Sequence, residues 1–211
     1  MTVTLYDYWR SSSAYRVRIA LALKGIAYEN VPVDLTAGAQ LSASHLALNP
    51  QGLVPVLKID GRTLVQSLTI IEYLEETRPE PSLLPRDAAG RTHVRALALA
   101  IACEIHPVSN LRVLDQVEAI AGKEERGVWN RNNIGRGLEA FEKLLDHPDF
   151  RGRFCHGDLP GLADCTLIPQ LYNATRWGVE WRHLPRIAAV AEHCAGIPAF
   201  QAAAPERFRL C

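Results

Sequence analysis

The chain has 211 residues, 48% of them hydrophobic and 22% charged, with 23 basic residues against 23 acidic ones. That composition excludes a disordered chain and leaves room for one large domain or two modest ones with a buried core. The formal net charge of zero excludes a global field that would gather nucleic acid or an anionic membrane, so an anionic partner must be held locally.

Residues 3–6 are a short β-type run. Asp7 and Arg10 fall too early for the apolar part of a signal peptide, and no uninterrupted apolar run approaches a bilayer span. A cytoplasmic protein with no membrane attachment is expected. Residues 14–24, AYRVRIALALK, are dense in helix formers and stop at Gly25, a natural C′ residue. A second β-type run covers residues 28–33, and residues 36–48 look irregular. Two β-branched runs, 54–59 and 63–65, flank Asp60-Gly61, a strong hairpin signal. Ser67 then opens a helix with Leu68, Ile71 and Leu74 at helical spacing. A βαβ unit joined to a hairpin and a helix gives a mixed four-stranded sheet with helices on its faces.

The stretch RPEPSLLPRD, residues 78–87, reads as a linker. Beyond Arg86 alanine- and leucine-rich helical segments follow at 88–103, 129–145, 162–174 and 185–195, with no strand alternation. The second half is therefore expected to be a helical bundle, and the expected domains are 1–82 and 88–211. The five cysteines, Cys103, Cys155, Cys165, Cys194 and Cys211, are odd in number and form no CxxC pair. Their spacing suits neither a disulfide framework nor a zinc site, and no metal site is expected.

Four places concentrate groups that could do chemistry. Residues 9–18, WRSSSAYRVR, lie at the turn between the first strand and the first helix. Helix N-termini attract anions, and Ser11, Ser12 and Ser13 add adjustable donors, although one of them could simply cap the helix. Arg16, placed in the first helical turn by this reading, opposes the helix dipole there, which points to an anion nearby. Arg16 and Arg18 taken singly still fit structural ion pairs better than ligand contacts.

The second place is Val54-Pro55, just before a strand. A cis bond there would turn the Val54 backbone outward, where a peptide could pair with it, but a trans proline at a strand edge is the ordinary case. Gln66-Ser67, at a helix start, is a second anion site or an ordinary cap. Residues 104–112, EIHPVSNLR, hold Pro107, which should break a helix and either line a site or make a plain corner.

Taken together, Ser11-Ser12-Ser13-Ala14-Tyr15-Arg16-Val17-Arg18-Ile19-Ala20-Leu21 resembles the S-S-C-x-[WY]-R-V-R-I-A-L stretch of the zeta class of glutathione transferases. Asn49-Pro50, Val54-Pro55 and the run from Gln66 to Glu76 are similar to that family too. The resemblance covers almost the whole chain. It implies a thioredoxin-like domain followed by an all-helical domain, glutathione as cofactor, and a homodimer. It places Ser11 beside the glutathione sulfur with Ser12 and Ser13 at the same turn, and Gln66 with Ser67 on the γ-glutamyl end. Val54, before a cis Pro55, pairs with the cysteinyl backbone, and Gln40 lies near the glycyl end. His106, Asn110 and Arg112 line the same cleft from the second domain, and Arg176 binds an acidic substrate. Arg10 joins Arg112 and Arg176 among the cations expected near the reacting groups.

This chain departs from the pattern at two positions. Ser13 replaces the hallmark cysteine, so the thiol must come from glutathione. Gly161 stands where a serine or threonine is usual before Asp164; glycine caps nearly as well, so Asp164 should still anchor its helix.

The resemblance implies isomerisation of a maleyl keto acid, a small dicarboxylate, to its fumaryl isomer in aromatic-compound catabolism. The thiolate adds, the resulting single bond rotates, and the thiolate leaves. A general transferase or dehalogenase, and a non-catalytic binding module of the same fold, are the rival readings.

Overall fold

The computed structural model describes residues 2–209. These group by contact into two compact units, one running to Ser82 and resuming at Ile197, the other spanning Leu83–Gly196. Residues from 197 on, assigned from sequence to the helical half, thus pack with the first unit.

In the first unit β1 (Thr4–Asp7), α1 (Ser12–Leu23) and β2 (Glu29–Pro32) form the βαβ motif. A 3₁₀ turn at Ala39–Leu41 and the short α2 (Ala43–Leu46) occupy the stretch read as irregular. The hairpin β3 (Val56–Ile59) and β4 (Arg62–Val65) turns at Asp60-Gly61, and α3 (Ser67–Thr77) follows. Both turn residues have positive φ, 53° and 72°, which is what an Asp-Gly pair supplies at least cost. The sheet order is β2-β1-β3-β4, with β1 parallel to β2 and antiparallel to β3, and β3 antiparallel to β4.

Helix α1 begins two residues earlier than its composition indicates, because Ser11 caps it. It is buried without interruption from Ala14 to Leu21, packed against α3 and against α9 (Pro198–Ala202). A helix enclosed that way leaves no water for its arginines, so each must find protein acceptors. Arg18, fully buried, pairs with Asp7 at 2.6 Å and donates to the carbonyls of Trp9 and Ala203, both at 3.0 Å. Its guanidinium also lies 4.5 Å from the Phe208 ring centroid. The structural reading of Arg18 holds.

The second unit contains α4 (Ala88–Leu99), α5 (Leu111–Ala121), α6 (Lys123–Leu144), α7 (Leu162–Arg176) and α8 (Pro185–Ala195). Its buried residues include Leu97, Ile101, Leu114, Ile134, Phe141, Leu167 and Ile187. Asp164 anchors α7 as expected: its two carboxylate oxygens accept from the N–H groups of Cys155 and Gly161, both at 2.8 Å. A Cβ at Gly161 would stand 2.8 Å from the Leu83 carbonyl oxygen, so the usual serine or threonine does not fit here. No single helix among the described residues is long and apolar enough to cross a membrane. Cys103, Cys155, Cys165 and Cys194 form no disulfide among the described residues, and Cys211 lies outside them.

Candidate active site

The sheet topology brings the first-unit candidates to one edge. β1 and β4 both run antiparallel to β3, so they are parallel to each other, and both end where β3 begins. β1 leads into α1 and β4 leads into α3, which puts two helix N-termini beside the Val54-Pro55 approach to β3. The positive ends of two helix dipoles thus share one edge, a setting for anionic groups on a ligand.

Side-chain bonds stitch that edge together. The Ser11 hydroxyl accepts from the Ala14 N–H at 3.2 Å, so this serine is the cap of α1. Ser12 is buried and Ser13 half-buried at the start of the helix. Arg16, also buried, donates to the Ser67 hydroxyl at 3.2 Å and so ties α1 to the start of α3. With α1 opening at Ser12, Arg16 sits in the second turn, and its expected opposition to the dipole in the first turn falls away.

Gln66 has φ 68° and ψ 114°, a conformation that L-residues avoid, and its amide donates to Gln51 at 2.8 Å. The Gln51 N–H is held by Asn49, whose amide donates to the Leu53 carbonyl at 2.9 Å. The buried His45 ring also reaches that carbonyl at 3.0 Å. These contacts fix the loop that presents Val54, whose bond to Pro55 is cis rather than the trans form that proline statistics alone favour. Among the described residues, Val54 takes part in none of the backbone bonds of the sheet or its turns.

Gln40 lies behind this loop. A Cβ at Gly52 would come 3.4 Å from the Gln40 carbonyl, and the Gln40 side-chain oxygen is buried with no hydrogen-bond partner. Arg10, half-buried, donates to the Tyr8 hydroxyl at 3.0 Å and lies 4.9 Å from the Trp9 ring centroid. Gln51 and His45 were not singled out from sequence. Nothing in their spacing shows that a loop bends back to them.

In the second unit α4 passes into a π-helical stretch at Ala100–Ile105, where the sequence indicates continued α-helix to Cys103. Gly137 on α6 has no side chain where Ile105 presses against it, which lets this stretch dock closely. His106 follows, its N–H bonded to the Ile101 carbonyl, and then the 3₁₀ turn Pro107–Ser109. Asn110 caps α5, accepting from the Arg112 N–H at 3.3 Å. Arg112 is exposed in the first turn of that helix, with no acidic residue in the turn. Arg176, also exposed, sits in the last turn of α7, where a cation complements the helix dipole.

Two family patterns match this chain: "Glutathione S-transferase, N-terminal domain" over residues 1–76, and "Glutathione S-transferase, C-terminal domain" over residues 111–196. A maleylacetoacetate isomerase of Rhizobium meliloti is 58% identical over 205 residues, spanning 96% of each chain. The chain belongs to the zeta class of the glutathione transferases. A solved zeta-class maleyl pyruvate isomerase superposes with a TM-score of 0.92 at 45% identity, over 96% of both chains. A maleylacetoacetate isomerase of Anaeromyxobacter dehalogenans, solved with dicarboxyethyl glutathione and citrate in its active site, has a TM-score of 0.86 at 49% identity. That match covers 98% of this chain and 92% of the other. In this zeta-class chain the sheet edge described above is where the family pattern and the local geometry coincide.

Proposed function

We propose that this chain is a glutathione-dependent cis–trans isomerase of a maleyl keto acid, maleylpyruvate or maleylacetoacetate. The observation that carries the proposal is the shared sheet edge, where two helix N-termini flank an unbonded Val54 backbone. It occurs in a chain 58% identical to a maleylacetoacetate isomerase.

The residues at that edge fit glutathione. Ser67 already accepts from Arg16, so its own proton is available to a γ-glutamyl carboxylate, beside the Gln66 backbone. Val54 offers a backbone N–H and C=O to the cysteinyl unit in the manner of an added strand. The unpartnered Gln40 oxygen offers an acceptor to an amide N–H at the glycyl end. Ser11 accepts from Ala14 and keeps its O–H to donate to sulfur, with Ser12 and Ser13 shaping the same turn. His106 and Asn110 complete the assignment from the helical unit.

Glutathione held at that edge would supply a thiolate for reversible addition to the maleyl double bond, the chemistry that permits cis–trans exchange. Arg10, Arg112 and Arg176 are assigned to the two carboxylates and to the negative charge that develops beside the ketone. The exposed Arg112 supports this reading, since a cation in the first turn of α5 costs that helix stability. A homodimer in the cytoplasm is part of the proposal; four cysteines outside any disulfide suit a reducing compartment.

An isomerase regenerates glutathione, whereas a transferase or dehalogenase consumes it. Free thiol should therefore stay constant while many equivalents of maleyl acid turn over. Thiol loss matching product formation would overturn the isomerase reading. A chain that neither turns over nor is retained on immobilised glutathione would be the binding module.

A further inference from the structure

Within the helical unit three histidines from separate segments come together. His93 lies on α4, His147 just beyond the end of α6, and His156 in the irregular stretch that leads to α7. One ligand nitrogen from each lies within 4.8 Å of the other two. The His93 and His147 rings stack with centroids 3.9 Å apart, and the His156 centroid is 6.0 and 6.3 Å from theirs. Nε2 of His93 and Nδ1 of His156 are buried with no hydrogen-bond partner, an arrangement that native interiors rarely leave unmet.

A carboxylate adjoins the group. Asp149 brings its backbone N–H to 3.2 Å and its carboxylate to 3.3 Å from Nδ1 of His147; when Nδ1 is bare it accepts from that N–H, and when Nδ1 carries the ring proton it donates to the carboxylate and leaves Nε2 bare for another partner. A carboxylate on the far nitrogen of an imidazole is the usual support for a metal-bound histidine, because it fixes the tautomer and raises the ligand's basicity.

We propose that His93, His147 and His156 bind one divalent transition-metal ion of the zinc type, with Asp149 orienting His147. Imidazole nitrogens suit borderline cations, and three of them leave a coordination position for water. Zinc–nitrogen bonds of about 2.0–2.1 Å set tetrahedral ligand nitrogens roughly 3.3 Å apart, so the stacked His93 and His147 rings must rotate out of their near-parallel arrangement for their in-plane lone pairs to meet at the ion. His147, with 36% of its side chain exposed, has room to turn. The ion would clip the irregular stretch after α6 onto α4. None of the residues assigned to glutathione or the maleyl acid is a ligand, so the role is structural.

Untagged full-length protein, stripped with a chelator and titrated with Co(II), should take up one ion per chain and develop the intense visible bands of a tetrahedral site. Zn(II) should displace it and raise the melting temperature. Asp149→Asn should weaken Zn(II) binding about 10-fold. Replacing any one of the three histidines with glutamine should weaken it further, while isomerase turnover and glutathione retention stay at wild-type levels. Absence of bands in the wild-type titration, or Zn(II) affinity unchanged in the histidine variants, overturns the site. Should a variant fail to fold, the wild-type Co(II) spectrum and stoichiometry decide alone.

Discussion

Ser11 serves both the fold and the proposed chemistry with one oxygen, since its hydroxyl caps α1 through Ala14 and retains a proton to donate. Its contribution to rate is bounded. A thiol of pKa ~8.5 is about 3% thiolate at pH near 7, and lowering that value by about two units raises the fraction roughly 25-fold. Reduced nucleophilicity returns about 6- to 10-fold of it, so the net gain is only a few-fold. Ser11→Ala should raise the pKa of bound glutathione more than Ser13→Ala, read from thiolate absorbance against pH. The reverse order would move the sulfur contact to Ser13. Alignment and charge must supply the larger share, up to ~7–11 kcal/mol from holding the reactants together. The planar guanidinium of Arg176 can hold a carboxylate through two parallel hydrogen bonds. Arg176→Ala should lower kcat/KM by an amount equivalent to about 2–4 kcal/mol while glutathione affinity barely moves. Steady-state kinetics beside a glutathione titration checks both halves. Near-normal kcat/KM would leave Arg176 as a helix-end cation only.

At the scale of elements, the irregular stretch before α7 is fixed by one buried carboxylate. Burial pushes the Asp164 carboxyl from 3.8 up to about 6, against the pull of the Cys155 and Gly161 N–H donors. The native chain therefore keeps a proton that the unfolded chain has released. Stability from this group is fully present below the unfolded value and is lost as pH rises through about 6. The span is worth on the order of 3 kcal/mol. Asp164→Asn has no such titration. Wild type should therefore gain stability over the variant between about pH 7 and about pH 4, measured by urea unfolding across that range. A flat difference would mean that Asp164 stays ionised throughout. The elements most legible in the sequence were those with local causes, such as the Asp60-Gly61 hairpin and the Gly25 stop of α1. Helix α5 was missed because its cap, Asn110, follows directly on the Pro107 break and its stretch lacks the alanine-rich composition used to find the others. In the site, the serines, Val54 and Gln66 stood out through their positions beside strands and helices. Gln51 and His45 did not, because their roles depend on a loop folding back.

At the scale of the whole chain, the first unit is completed only by a segment that returns to it from residue 197 on. α9 packs on α1, Ala203 gives its carbonyl to Arg18, and Phe208 lays its ring near the same guanidinium. The sequence offers no sign of this return, since residues 197–209 continue the helical character of the half they leave. Arg18 makes the return costly to lose. Its charge is fully buried, paired with Asp7, and satisfied in part by a carbonyl more than a hundred residues away in sequence. Ending the chain after Gly196 would take away that acceptor, uncover the buried Phe200 and Ala203 contacts, and admit water to the Arg18–Asp7 pair. Disrupting a buried ion pair costs about 3–5 kcal/mol, a large part of the ~5–15 kcal/mol that holds a typical protein folded. The truncated chain should therefore lose retention on immobilised glutathione and unfold in less urea, with the change confined to the first unit. Hydrogen exchange resolves the two units: amides of α1 and β1 should lose protection while those of α6 and α7 keep it. A truncated chain with native protection in α1 would show that the first unit is complete without its returning segment.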